Sequence, residues 1–277
     1  MSIKDVLFHL EACGSQSTVE FATSFAARTD ARLTAAGVAI EYPPPAVGPS
    51  VGGLGFGDVA ALEKLSLENR EALERAGREF IADAPLGVKA DFTLVQGYRG
   101  EACRSFARLA RYFDLAIVAQ GAANPMEIDG RVLTETLFGS GRPLFIVPFI
   151  HKGPVKLDRA LICWDGGVQA ARALAAAIPL LPLCRSVEIV TIGGNNKVAT
   201  RDLRIITHLA NHGVKARLIE LPCAEEIGDA LLSYAADAGA DYLVMGAYGH
   251  WRLTEFVIGG TTRTILGSMT TPVLMAH

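Results

Sequence analysis

GAYGHWRLTEFVIGGTTRTILG, residues 246–267, follows the apolar run Tyr242-Leu243-Val244-Met245, and its reading decides the fold. A short aliphatic run entering a small-residue turn reads as a buried parallel strand. Gly246 and Gly249 open that turn, where glycine admits a positive φ and lets a ligand reach the backbone with no β-carbon in the way. After nine more residues come Gly259 and Gly260, then Thr261 and Thr262, and Arg263-Thr264-Ile265-Leu266 reads as the start of the last helix. Unpaired amides at a helix N-terminus, helped by threonine hydroxyls, make an anion site suited to phosphate. Tight backbone packing is the competing explanation of the same glycines.

The surrounding pattern occurs twice. DLAIVAQ (114–120) leads to RPLFIVPF (142–149), as DYLVMGA (241–247) leads to TPVLMAH (271–277). KDVLFHLEACG (4–14) opens the first half as RALICWDGG (159–167) opens the second. Helical patterns follow at 17–27 and 169–178, second strands at 31–40 and 187–192, third strands at 88–96 and 214–222, and further helices at 101–113 and 224–238. This alternation predicts, in each half, a parallel sheet covered by helices. Glu11 lies 154 residues before Asp165, but Asp114 only 127 before Asp241, so the first half holds an insertion of 27 residues. Its proline- and glycine-rich part, EYPPPAVGPSVGGLGFGD (41–58), reads as a surface loop. The expected division is a first domain at 1–150 with an inserted loop near 41–66, and a second at 156–277, with HKGPVKLD (151–158) as the linker.

Composition narrows the function. Half of the residues are hydrophobic and a fifth are charged, a globular composition. The net charge is −3, with 15 basic and 18 acidic residues up to position 153 and 11 of each after it, so no nucleic-acid partner is expected. The start, MSIKDVLFHLEACG, has no leader pattern, and no apolar run approaches the roughly 18 residues of a membrane span, so no membrane partner and a cytoplasmic location are expected. Cys13, Cys103, Cys163, Cys184 and Cys223 are scattered with no C-x-x-C, which fits reduced, buried thiols. No P-loop, no G-x-G-x-x-G after an opening strand and no G-x-S-x-G is present.

Gly246, Gly249 and Gly259 in a G-x2-G-x9-G pattern, closed by TPVLMAH and preceded by ICWDGG with Asp165, resemble the nucleotide-binding signature of the universal stress protein (UspA) family. The strand alternation matches that family over essentially the whole chain as two tandem copies. The resemblance implies two tandem open five-stranded parallel sheets of order 3-2-1-4-5 with helices on both faces, an adenine nucleotide alpha hydrolase-like fold. It also implies ATP, or AMP or ADP, with or without Mg²⁺, between the first and fourth strands of the second half. Carried over by position, Asp165 would contact the adenosine and Val190 or Thr191 would border the adenine. Met245 and Gly246 would line the ribose and phosphate edge. Gly249, Gly259, Gly260, Thr261 and Thr262 would hold the phosphates, with Tyr248 between the glycines in contact. The family motif continues from its last glycine into serine or threonine, whereas here Gly260 intervenes and Thr261 stands one residue later.

The first half departs further. Aligning Pro143 with Pro272 sets Ile117 and Gln120 opposite Gly246 and Gly249, and Glu11 stands in the place of Asp165. That half is expected to bind no nucleotide and to serve as a packing partner. As separate copies of the family do between chains, the two halves would pair through their last strands, and a homodimer stays open.

His250, Trp251, Arg252 and Glu255 read as an exposed loop, and His208 and His212 as surface histidines without a third metal ligand. No catalytic set is legible, because phosphoryl transfer needs a positioned base and a charge-neutralising Lys or metal ligand. A nucleotide-responsive regulatory protein is the leading expectation. The alternatives are a nucleotide-free interaction scaffold and a weak adenine nucleotide hydrolase.

Overall fold

A computed structural model describes residues 2–12, 16–42, 56–121, 128–193, 198–247 and 260–277. The first half runs β1 (Asp5–Leu10), α1 (Gln16–Thr29), β2 (Arg32–Glu41), α2 (Phe56–Asp83), β3 (Ala90–Tyr98), α3 (Arg99–Ala110), β4 (Leu115–Ala119), α4 (Ile128–Gly139) and β5 (Leu144–Val147). The second runs β6 (Arg159–Cys163), α5 (Val168–Ala177), β7 (Ser186–Ile192), α6 (Val198–Asn211), β8 (Ala216–Leu221), α7 (Ile227–Asp237), β9 (Tyr242–Gly246), α8 (Gly260–Ser268) and β10 (Val273–Ala276), with a 3-10 turn at Leu181–Leu183.

The strands form one sheet of order β3-β2-β1-β4-β5-β10-β9-β6-β7-β8. The order 3-2-1-4-5 therefore occurs in both halves. The separate sheets expected from sequence are one, because β5 and β10 pair antiparallel, with Phe145 opposite Leu274 and Ile146 opposite Val273. Both strands are four residues long and wholly buried. A strand that apolar on both faces leaves a full row of N–H and C=O groups unpaired if it ends a sheet, and pairing removes that edge.

Helices cover both faces. On one side α1, α2, α5 and α6 pack on a cluster that includes Phe21, Phe80, Leu174 and Leu209. On the other, α3, α4, α7 and α8 pack on a cluster that includes Phe106, Val132, Leu231 and Ile265. Each cluster draws residues from both halves, and Phe145 joins them at the seam. Its ring meets Phe21 at 5.4 Å, Phe25 at 5.7 Å and Tyr242 at 5.7 Å, all edge-on.

The structure refines three expectations. The insertion near 41–66 is helical from Phe56 onward, so α2 has 28 residues where α6 has 14; residues 43–55 lie outside the described residues. Intrahelical pairs Lys64–Glu68 (3.7 Å) and Arg70–Glu74 (3.0 Å) accompany that extension. The segment 151–158, read as the linker, is packed in part against the first half. Val155 and Leu157 are buried in the first cluster, the Val155 N–H donates to Ser24 Oγ at 2.8 Å, and Arg28 pairs with Asp158 at 2.9 Å. Finally, Cys223 is exposed while Cys103 is buried, so the thiols are not uniformly internal; Cys13 lies outside the described residues.

Candidate functional site

In the second half, β6 and β9 are neighbours, and the chain leaves them for opposite faces. After β6 it enters α5, whose Leu174 packs in the first cluster, and after β9 it reaches α8, whose Ile265 packs in the second. The crevice between their carboxyl ends is the topological switch point, the usual ligand position in an open parallel sheet.

Asp165 stands exposed just beyond β6, and its Oδ1 accepts the Gly167 N–H at 2.7 Å. Gly166 takes φ +74°, and a β-carbon on Gly167 would lie 2.9 Å from that Oδ1. The Asp-Gly-Gly sequence is thus a tight turn that delivers the chain into α5, with the carboxylate holding it. Cys163, just before, has its thiol pushed up to about 12 by burial and by the Asp165 charge. It stays protonated at neutral pH and is no nucleophile.

Gly246 is in extended backbone without a positive φ, contrary to the expectation for the turn. A β-carbon there would lie 2.5 Å from Ala170 N and 2.5 Å from the Gln169 carbonyl carbon. The space over Gly246 is filled by the first turn of α5, so for this glycine the packing explanation holds. Val190 and Met245 also differ from expectation: both side chains are buried in the second cluster and only their backbone can border the crevice. Thr191 is buried as well, at 5% exposure. Ile192, half-buried, and Gly193, with φ +108°, form the open end of β7.

α8 opens at Gly260. The amides of its first turn have no intrahelical acceptors, and no described atom lies within 4 Å of the β-carbon position of Gly260. Thr261 is half-buried, Thr262 is buried, and Arg263 is exposed. The start of α8 is held laterally by α7: a β-carbon on Gly228 would lie 2.6 Å from Thr264 Cβ. The sheet topology therefore brings Asp165, the end of β7, Gly246 and Gly260–Thr262 to one edge. Tyr248, Gly249 and Gly259, with His250, Trp251, Arg252 and Glu255, lie outside the described residues. Trp164 and Gln169 also belong to this edge and were missed by motif spacing. Trp164 packs beside the first cluster and its backbone N–H donates to Val190 O at 2.8 Å.

A groove of about 480 Å³ opens at the opposite edge of the same half, near Arg159, Glu188, Arg217 and Tyr234. Its polar groups satisfy one another: Glu188 accepts from Arg217 at 2.7 Å and from Tyr234 at 2.9 Å, which holds its pKa below the usual carboxylate value. That edge carries no helix N-terminus following a parallel strand, so the crevice, not the groove, is the candidate site. His208 and His212 sit with ring centroids 4.8 Å apart, and among the described residues no group of three or more His, Cys, Asp or Glu is placed to hold a metal.

The corresponding edge of the first half is built differently. The pairings Ile117–Phe145 and Val244–Leu274, with Phe145 opposite Leu274 at the seam, make Ile117 equivalent to Val244. Ala119 then stands at the place of Gly246 and Gln120 at that of Ala247, two positions away from the alignment on the prolines. His9 occupies the place of Cys163, buried with its ring 5.6 Å from Phe106. Burial lowers its pKa from 6.5 to about 4. A folded-state pKa below the unfolded one means that the unfolded chain binds the proton first. The contribution, about 3 kcal/mol, is therefore fully present above pH 6.5 and is lost as pH falls from there towards about 4. Urea titrations at pH 7 and pH 4 should show that loss in the wild type and a smaller one in His9→Leu; equal losses would contradict this reading.

Among the described residues, no helix is long and apolar enough to cross a membrane. Residues 207–277, which contain the whole 246–267 stretch, match the Universal stress protein family. A universal stress protein of Synechocystis sp. strain PCC 6803 is 26% identical over 227 residues, 77% of this chain and 67% of that protein. The crystal structure of a universal stress protein from Archaeoglobus fulgidus DSM 4304 superposes with a TM-score of 0.72 at 14% identity, covering 99% of this chain and 96% of that one. The cytoplasmic domain of a prokaryotic cation chloride cotransporter gives a TM-score of 0.51 at 8% identity, covering 100% and 96%. The two solved structures establish the fold, and a fold alone does not assign a function. The family match lies over the signature stretch and the related sequence runs along three quarters of the chain, so residues 207–277 carry a match to the universal stress protein family and the chain is similar to that family along most of its length.

Proposed function

We propose that the second half binds an adenine nucleotide, ATP or its mono- or diphosphate relatives, in the crevice between β6 and β9. The chain then acts as a nucleotide-responsive regulatory protein rather than a dedicated enzyme. The observation that carries this reading is the start of α8 at that edge, with the space over Gly260 open among the described residues. A helix N-terminus presents amides and the positive end of its dipole, which suits a polyphosphate. Asp165 faces the nucleoside part, the end of β7 at Thr191 and Ile192 borders the base, and Gly249, Gly259 and Thr261 complete the phosphate contacts. Mg²⁺, where it accompanies the nucleotide, offsets the phosphate charge.

In this reading the chain has two domains, 1–150 and 156–277, and only the second takes nucleotide. At the first domain's edge, Ala119 and Gln120 replace the glycine and alanine of the second, and His9 is an uncharged buried group. Its role is to support the second domain. The protein works in the cytoplasm, with the nucleotide as its small-molecule partner.

Gly246 and Gly260 separate packing from binding. Gly260→Val adds a side chain where no described atom stands, so the stability of the nucleotide-free protein should stay within about 0.5 kcal/mol. ATP affinity, measured by calorimetry, should fall at least about tenfold, a loss of roughly 1.4 kcal/mol. Undiminished binding by Gly260→Val would remove the helix start from the site.

A further inference from the structure

We infer that the first half positions two described elements of the candidate nucleotide edge, α8 and the end of β9, through two contacts: Gln120 on Leu266, and Phe138 acting through His277 on Ala247. The functional part of this inference rests on the nucleotide reading above, whereas the contacts themselves are independent of it.

Gln120 follows β4 at the edge of the first half and is 8% exposed. Its Nε2 donates to Leu266 O at 2.7 Å and its Oε1 accepts the Phe149 N–H at 3.2 Å. One partner can only accept and the other can only donate, so the amide orientation is fixed. Leu266 lies in the last turn of α8, where carbonyls lack intrahelical donors. Gln120 therefore caps α8 from the other half. A helix of nine residues is marginal without tertiary support, and its start lies only about 13 Å from its end at a rise of about 1.5 Å per residue.

The second contact lies at the other end of the segment. Ala247, the first residue after β9, offers its carbonyl to His277 Nδ1 at 3.1 Å. A carbonyl only accepts, so Nδ1 carries the proton. The His277 ring stands edge-on to Phe138, in the last turn of α4, at 4.8 Å. Ala247 follows β9 and Leu266 lies in α8, and both are held by groups on or against the first half. At the position of Gln120 the second half has alanine, which can make no such reach. Gln120 and Phe138 are thus positioning residues that touch no nucleotide.

The test uses the full chain and the variants Gln120→Leu, Gln120→Glu and Phe138→Ala. Gln120→Glu keeps an acceptor for the Phe149 N–H and loses the donor to Leu266, which isolates the contact between halves. Hydrogen exchange of the nucleotide-free proteins should accelerate in residues 260–268 for the Gln120 variants and around 242–247 for Phe138→Ala, while β7 in the same half is unchanged. ATP affinity should fall about 5- to 10-fold in each. Where Gln120→Leu fails to fold, Phe138→Ala, at an exposed position, carries the test. Exchange in 260–268 unchanged by Gln120→Glu, or folded variants binding ATP within about twofold of wild type, would overturn the inference. A wild-type protein that takes up no ATP would sink the nucleotide reading instead, and the exchange measurement would still decide whether the halves are coupled.

Discussion

Phe145→Ala should destabilise the protein by about 3–5 kcal/mol, the range for removing a buried aromatic side chain from a close-packed core. Phe145 is fully buried and is the residue on which the two halves meet. It stands opposite Leu274 across the antiparallel seam, with two rings of α1 on one side and Tyr242 of β9 on the other. Edge-on aromatic pairs add about 0.5–1.5 kcal/mol each beyond burial, and three are lost together. The cavity cannot collapse easily, because its walls include Leu274 and Tyr242 on strands held in register as well as the two rings of α1. By contrast, the Arg28–Asp158 pair that also links the halves has both side chains more than a third exposed and contributes little. Equilibrium unfolding in urea should show a lower midpoint with an unchanged slope. A loss below about 1 kcal/mol would mean that the seam is not part of the cooperative core.

Gly246→Ala should be nearly as damaging for the opposite reason, since it adds volume where there is none. The new methyl would meet Ala170 N and the Gln169 carbonyl carbon at 2.5 Å, and these are backbone atoms that cannot rotate away. Either α5 lifts from β9 or β9 shifts within the sheet, and overpacking of this kind costs about 1–3 kcal/mol or more. Because α5 also carries the Asp165 turn, the crevice is distorted with it and nucleotide affinity should fall too. Thermal unfolding of the nucleotide-free protein gives the decisive reading. An unchanged melting temperature would mean that Gly246 serves the ligand alone, as its place in the motif first suggests.

The strand and helix alternation was legible because parallel strands buried on both faces are continuous apolar runs, such as LAIVA at 115–119 and YLVMG at 242–246. The seam was less legible in detail. LFIV and VLMA are uniformly apolar, so neither strand encodes the antiparallel register that merges the sheets. The start of α2 was missed because the glycines and prolines of 41–55 dominate the reading of a stretch whose continuation, from Phe56, is helical. Position along the motif names residues whose described members share one edge, but it does not give the direction of their side chains. Period-two alternation places Val190 and Met245 on the α7 and α8 side, in the core, which a residue-by-residue transfer of roles overlooks. Gly246 shows the same limit, since a glycine required by a neighbouring helix and one required by a ligand look alike in sequence. Gln120 could not be found at all, because its partner Leu266 is 146 residues away and offers only a carbonyl.

The central claim, that the crevice between β6 and β9 holds an adenine nucleotide and its counterpart in the first half does not, has a direct test. Titration calorimetry of the full chain with ATP should give one nucleotide per chain, with heat of binding lost in Gly260→Val. No binding, or two equivalent sites per chain, would contradict it.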